Sequence, residues 1–348
     1  MARRLVGSAT PPARMQAVAT AGVIEAARLS LGAVGAYLPA SLTTPMSVSE
    51  QCDAAQRLER AGYRAAWANE LIGGKDVFAQ VAVLMAATER ITFGTGIANI
   101  RARAPQIAHY ASAWLAQAYP DRFVLGLGVG YPQQAEVADR ESGRPLATMR
   151  EYLERMNTPV RPPAADTPYP RLIGANGPKM VALAAELADG VIPAMMPPTF
   201  AKQARLQLTP DKLIVMSLGV VADSDADRAR AAARDRVAAF LARSPVRAAI
   251  LAQLGFTPEE VADLSDRVVD ALIGNGPPDR IAALVREHLE AGANHVALIP
   301  SGSSVEDDLD QLERIAPALA ELAEAASDES SASAGNAGRD RLRIEDDI

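Results

Sequence analysis

The feature that most restricts the fold is an alternation. Short runs of Val, Ile, Leu, Ala and Gly recur along the chain, each followed by a stretch with helical apolar spacing. The clearest instance is residues 91–131, ITFGTGIANIRARAPQIAHYASAWLAQAYPDRFVLGLGVGY. ITFGTGI reads as a strand, and Pro105 is suited to open a helix because its missing N–H would be unpaired there anyway. That helix runs to about Tyr119, Pro120-Asp121 turns the chain, and FVLGLGVG is a second buried strand. Two apolar strands joined by such a helix make a right-handed βαβ unit of a parallel sheet. The unit repeats in both directions. VGAYL (34–38), RAAWA (64–68), RLIGA (171–175), DGVIPAM (189–195), KLIVMSLGVVA (212–222) and HVALIP (295–300) supply six further strands. Helices are expected at 47–61, where Ser47 and Glu50 have the spacing of a capping box and Gly62 is the stop. Others are expected at 77–88, 146–157, 178–188, 223–243 and 278–291, and from about Thr199 and Val305.

Eight strands, each with a helix, in one unbroken alternation is the pattern of an α/β protein of the (β/α)8 TIM-barrel type. A doubly wound sheet is the rival, but it usually carries a Gly-rich fingerprint after its first strand, and VGAYLPASLTTP is not one. Residues 244–278, with two short helical pieces beginning near Pro245 and Pro258, read as a helical insertion before strand eight. The barrel is expected over 31–326. Residues 1–30 form an Arg-bearing extension, flexible or partly helical after Met15, without the continuous apolar region of a secretory signal. Residues 327–348 have no apolar period and are expected to be disordered. TPVRPPAADTPYP (158–170) is a rigid Pro-rich connector.

Composition narrows the partners. The chain carries a net charge of -7 without a dense basic run, so nucleic acid and anionic membrane are not expected as partners. No apolar run reaches the roughly 18 residues that span a bilayer. The single cysteine, Cys52, rules out an intrachain disulfide, and a reducing cytoplasm fits. His109, His288 and His295 show no i,i+4 pairing, so no metal site is expected.

In a barrel the chemistry sits in the loops that follow the strands. IGANGPKM (173–180) ends a strand and opens a helix, where the N–H groups of Asn176, Gly177 and Lys179 could point at an anion; an ordinary strand-to-helix turn would look the same. WANEL (67–71) places Glu70 beside the expected mouth, either as an acid for chemistry or as a solvated or capping group. GTGIANIRAR (94–103) combines flexible glycines with Asn99 and two arginines, and would let a flat ligand lie against the backbone. GVGYP (128–132) offers Tyr131 as a stacking or proton-donating group. Met195-Met196 could line an apolar ring pocket or simply the core.

Taken together, AGYRAAWANE, AATERITFGTGIANIRARAP, YPDRFVLGLGVG, IGANGPKMVALAAELADGVIP, GFTPEEVADLSDRVVDALIGNG and IAALVREHLEAGANHVALIP resemble the luciferase-like flavin and deazaflavin oxidoreductases. The likeness is to the branch that uses coenzyme F420, and it covers about residues 31 to 325. The resemblance implies a (β/α)8 barrel, usually dimeric, with the coenzyme in its mouth. Gly96-Ile97 matches the bulge whose non-proline cis peptide supports the deazaflavin ring. Ala175, Asn176, Gly177, Pro178 and Lys179 match the loop that holds the coenzyme phosphate. Val129, Gly130 and Tyr131 match the segment beside the ring, Asn69-Glu70 the pair after strand two, and Asn99 and Met195 line the same mouth. Several members carry Asp-His where this chain has Asn69-Glu70, and members that oxidise sugar phosphates have Glu at the position of Tyr131. That departure argues against sugar-phosphate oxidation and moves the acid or base to Glu70 or Tyr131. The expected activity is hydride transfer between F420 and a small organic substrate. The alternatives are an FMN-dependent monooxygenase and, in another class, a non-catalytic flavin-binding barrel.

Overall fold

The computed structural model describes residues 21–39, 46–130, 144–159, 167–243 and 246–322. Eight parallel strands close on themselves: β1 (Val34–Tyr37), β2 (Ala65–Ala68), β3 (Thr92–Thr95), β5 (Phe123–Gly128), β6 (Arg171–Ile173), β7 (Gly190–Val191), β8 (Leu213–Ala222) and β10 (His295–Ile299), which returns to β1. The register runs Gly35↔Ala65, Ala65↔Thr92, Phe93↔Phe123, Leu125↔Arg171, Leu172↔Gly190, Gly190↔Leu213, His295↔Val215 and Val34↔Val296. The short β4 (Ala98–Asn99) continues the path of β3 and pairs with the second half of β5.

The helices form the outer layer: α2 (Val48–Arg60), α3 (Val77–Ala86), α4 (Pro105–Ala118), α5 (Pro145–Met156), α6 (Pro178–Leu187), α7 (Pro198–Arg205), α8 (Ala226–Ala242) and α12 (Pro278–Glu290), with a last helix over 305–322. Their starts follow local chemistry. Ser47 and Glu50 form the expected capping box, Asp76 caps α3 through the N–H groups of Phe78 and Ala79, and Pro occupies the first turn of α4, α5, α6 and α12. Gly62 and Gly292 end their helices at φ +93° and +105°, a conformation glycine adopts without a Cβ penalty. Among the described residues no helix is long and apolar enough to cross a membrane.

One expectation needs correction. The insertion before the eighth barrel strand holds three helices, α9 (Val246–Gln253), α10 (Pro258–Ala262) and α11 (Asp266–Leu272), and ends in a strand, β9 (Ile273–Gly276). This strand lies parallel to the outer half of β8, Gly219↔Ile273 to Ala222↔Gly276, outside the closed ring. The long apolar run of β8 is thus used twice: Leu213 to Gly219 build the barrel, and Gly219 to Ala222 carry the added strand. The extension carries a helix in the part where one was expected, after Met15, and that helix packs on the barrel. Helix α1 (Ala21–Leu31) buries Ile24, Ala27 and Leu31 in the barrel interior, against Ala65, Trp67, Val124, Leu172 and Leu213. Arg64 donates to Leu29 O, Thr92 to Ser30 O and Arg28 to Pro210 O. Those partners precede or begin β2, β3 and β8, so α1 lies across the N-terminal face of the barrel. Full burial of Ile24 and Leu31 is worth about 1.5–3 kcal/mol each, so α1 is part of the compact unit. The expected tail at 327–348 lies outside the described residues, as do Tyr131, most of the loop after it, and 160–166 of the Pro-rich connector.

The interior is organised around Trp67, whose indole covers Gly94. A Cβ at Gly94 would stand 2.3 Å from ring carbons of Trp67, so only glycine admits the indole. Two polar side chains inside the barrel pair with each other: Trp67 Nε1–H donates to His295 Nε2 at 3.0 Å, and His295 Nδ1–H to Gly32 O at 2.8 Å.

Candidate active site

The third barrel strand is interrupted. The peptide bond between Gly96 and Ile97 is cis, and it separates β3 from β4. The break takes Thr95 and Gly96 out of the ladder with β5, which resumes at Ala98↔Leu127. Thr95, fully buried, repairs the gap with its side chain: its hydroxyl donates to Gly126 O at 2.7 Å and accepts from Gly126 N–H at 2.8 Å. Around the break the chain approaches its neighbours closely. A Cβ at Gly96 would fall 2.5 Å from the Tyr37 hydroxyl, and one at Gly128 would fall 2.4 Å from the Ile97 side chain. Ile97 also lies over Gly174, at the end of β6. The C-terminal ends of β1, β3, β5 and β6 therefore converge on the Gly96–Ile97 bulge.

Next to the bulge lies the start of α6. Its N-cap is Gly177, which offers no side-chain acceptor, and Pro178 and Lys179 are exposed. The positive end of a helix without a side-chain cap is suited to an anion. Asn176 turns the other way. Its Oδ1 accepts from Ala194 N–H at 3.0 Å and ties the β6 loop to the β7 loop. Ala175, at the foot of this loop, is buried. Met195 is buried with φ +48°, held there by its N–H bond to Ser217 O at 2.8 Å. Val129 and Gly130 are partly buried, and Gly130 turns the chain at φ +67° immediately before Tyr131. Gly96, Ile97, Asn99, Val129, Gly130 and the 175–179 loop thus share the C-terminal face of the barrel.

Glu70, a candidate acid or base, is buried among hydrogen-bond partners. Proton transfer requires a lone pair that can reach substrate. The Glu70 side chain is only 3% exposed and grips Arg103, itself 9% exposed, through both oxygens. Oε2 also accepts from Asn99 N–H at 2.8 Å and Oε1 from Val77 N–H at 3.2 Å. A carboxylate has about four acceptor positions, and all four are taken. Removing the carboxylate would take two bonds from a buried guanidinium and leave it Asp76 as its remaining carboxylate partner. An acid–base role for Glu70 would require the carboxylate to leave this set of bonds. Arg103 stacks over Phe78 at 4.8 Å and bonds Asp76 at 2.9 Å. Burial alone would raise the Asp76 carboxyl, but the N–H groups of Phe78 and Ala79 and the Arg103 charge hold it below its ordinary value. Asn69, beside Glu70, is exposed.

Tyr37 was missed from sequence, and the two arginines noted in the 94–103 loop were given no partners. Tyr37 ends β1 with its hydroxyl 2.8 Å from Ser217 Oγ, and burial pushes the phenol up to about 12 despite that bond. Arg101 donates from Nε to Val129 O at 3.0 Å, and its N–H to Asn99 Oδ1 at 3.0 Å. The terminal position of Tyr37 on its strand was a usable signal. Nothing in the sequence pairs Arg103 with Glu70 in advance.

The comparisons agree with this geometry. The 5,10-methylenetetrahydromethanopterin reductase of Archaeoglobus fulgidus is 27% identical over 299 residues, covering 72% of this chain and 88% of that one. An F420-dependent secondary alcohol dehydrogenase, solved with an F420–acetone adduct, superposes with a TM-score of 0.65 at 19% identity, covering 83% of this chain and 99% of the other. The oxygenating constituent of 3,6-diketocamphane monooxygenase from Pseudomonas putida, a type II Baeyer–Villiger enzyme in complex with FMN, gives 0.61 at 16% identity, covering 82% and 97%. Both structures share the barrel. A family model described as luciferase-like monooxygenase runs over residues 29–295, from the end of α1 to the first residue of β10. A chain matched over that whole span, and folded as the closed barrel the match requires, belongs to the luciferase-like monooxygenase family and is an oxidoreductase.

Proposed function

We propose that this protein is an F420-dependent oxidoreductase that moves a hydride between the deazaflavin and a small organic substrate. The observation that carries the proposal is the meeting of two features at one face: the 96–97 bulge, packed over Gly128 and Gly174, and the N-terminus of α6 without a side-chain cap. A flat, anionic coenzyme needs both a backbone shelf and an anion site. The chemistry of the groups present fits such a coenzyme. The shelf is backbone and Ile97, and the anion site is main-chain N–H with Lys179 beside it. The resemblance of the sequence motifs to the F420 branch supports the deazaflavin over FMN.

When bound, the deazaflavin supplies a two-electron hydride carrier. The protein's own contribution is placement. Ile97 and Gly96 would support the ring, Val129 and Gly130 border it, and Gly177 and Lys179 would hold the phosphate. Asn176 and Met195 hold the β6 and β7 loops in register, and the α9 side chain Ile250 packs 3.7 Å from the Cβ position of Gly177, closing that side. With Glu70 committed to Arg103, Tyr131 is the group proposed to give or take the substrate proton, a contribution of typically ~10²–10⁴-fold. The protein is proposed to act as a homodimer. Helix α4 exposes Ile107 at 56% and Trp114 at 69%, two turns apart on one face, a surface suited to a second copy.

The test is anaerobic turnover with F420 and a panel of alcohols, enones and imines. Change in the coenzyme's redox state without oxygen supports the proposal. Turnover only with reduced FMN and oxygen identifies a monooxygenase instead. Tight coenzyme binding without turnover of any substrate identifies a binding barrel.

A further inference from the structure

Glu70 holds the bulge from two sides. Its backbone N–H donates to Ile97 O at 3.2 Å, and its carboxylate accepts from Asn99 N–H at 2.8 Å. The residues on either side of β4's first position are thus both fastened to one side chain and its own main chain. Arg103 closes the loop that leaves Asn99 back onto the same carboxylate, and Asp76 anchors Arg103 to the start of α3. The connection continues outward. Asn99 Oδ1 takes the N–H of Arg101, and Arg101 reaches Val129 O on the opposite border of the shelf. The network runs without a gap from a rigid helix start, through the bulge, to the segment proposed to border the ring.

From this we infer that Glu70 and Arg103 are positioning residues: together they fix the 96–99 shelf in the shape that receives the coenzyme ring, and so set coenzyme affinity and not proton transfer. The inference rests on the proposed binding of a flat coenzyme at that shelf. Its physical basis is pre-organisation. A shelf held in one geometry before binding need not be ordered by the ligand, whereas one released from its clamp must be. A bidentate guanidinium–carboxylate pair suits this task because two parallel bonds fix orientation as well as distance.

The experiment uses Glu70→Gln and, because that change could impair folding, Arg103→Lys, which keeps the charge and loses the planar fork. Two readouts are taken. The first is amide hydrogen exchange in the protein without coenzyme. Peptides spanning 96–103 are expected to exchange about tenfold faster or more in both variants, with the rest of the barrel unchanged. The second is equilibrium titration with F420 and with FMN. The dissociation constant of the preferred coenzyme is expected to rise about tenfold or more, while the pH profile of kcat keeps both of its limbs. An unchanged dissociation constant, with kcat reduced and one limb of the profile lost, would return Glu70 to proton transfer and overturn the inference. Unchanged exchange and unchanged affinity would overturn it as well. Uniformly faster exchange throughout the barrel would show a general stabilising role and count against it. If the wild-type protein binds neither coenzyme, the functional proposal fails, and the affinity half of this inference fails with it; the exchange data would still decide whether Glu70 holds the bulge.

Discussion

The indole N–H of Trp67 donates to Nε2 of His295, 3.0 Å away inside the barrel, and this fixes the imidazole as its Nδ1–H tautomer. An indole nitrogen can only donate, so Nε2 must be unprotonated, and Nδ1 carries the hydrogen bonded to Gly32 O at 2.8 Å. Protonating His295 would break the bond to Trp67 in the centre of the fold.

Acid sensitivity follows. Burial pushes His295 down to about 4, and burial also pushes His288, on α12, down to about 4. Neither ring nitrogen of His288 has a hydrogen-bond partner among the described residues. The unfolded chain takes up protons near pH 6.5, where the native protein does not, so stability is present near pH 7 and is lost as pH falls from about 6.5 to about 4. The loss approaches roughly 3 kcal/mol per histidine. Urea midpoints at pH 7 and pH 5 should differ accordingly, and His288→Leu should flatten the decline.

Thr95 offers a sharper test of how the bulge is tolerated. Thr95→Val keeps the shape and removes the hydroxyl that serves both Gly126 groups. Two buried backbone groups are then left unpaired, a cost of about 2–4 kcal/mol. Chemical denaturation measures it. A loss below 1 kcal/mol would mean that another group fills the gap.

Helix α1 should behave as part of the core. Leu31→Ala empties a site that is 1% exposed at the N-terminal face and should cost about 2–5 kcal/mol. The change lies at the face opposite the proposed site, so coenzyme affinity of the folded fraction should stay at the wild-type value. Thermal melting and titration together check this.

Lys179→Ala should do the reverse. The side chain is exposed, so stability should change by less than about 0.5 kcal/mol. Affinity for the coenzyme should fall about three- to tenfold, and its salt dependence should weaken with it. Titrations at low and high ionic strength measure both effects.

Much of this architecture was legible in the chain. The period of the apolar runs gave the eight barrel strands, and Ser47–Glu50, Gly62 and Gly292 gave helix ends, because those signals are local. The motifs around Gly96 and Lys179 located two sides of the mouth for the same reason. What escaped depends on distant partners. Nothing near Ile273 shows that it will find the spare half of β8, and the packing of α1 is not legible because its three buried residues meet a surface made by residues of several distant strands. The pairing of Glu70 with Arg103 was not legible because Arg103, 33 residues on, folds back onto it.

The most direct test of the account is an equilibrium titration of the purified protein with F420 and, separately, with FMN, following each coenzyme's own fluorescence, with Lys179→Ala in parallel. The account predicts saturable binding of F420 in preference to FMN, weakened by the loss of Lys179. Preference for FMN, or F420 binding indifferent to Lys179, would contradict it.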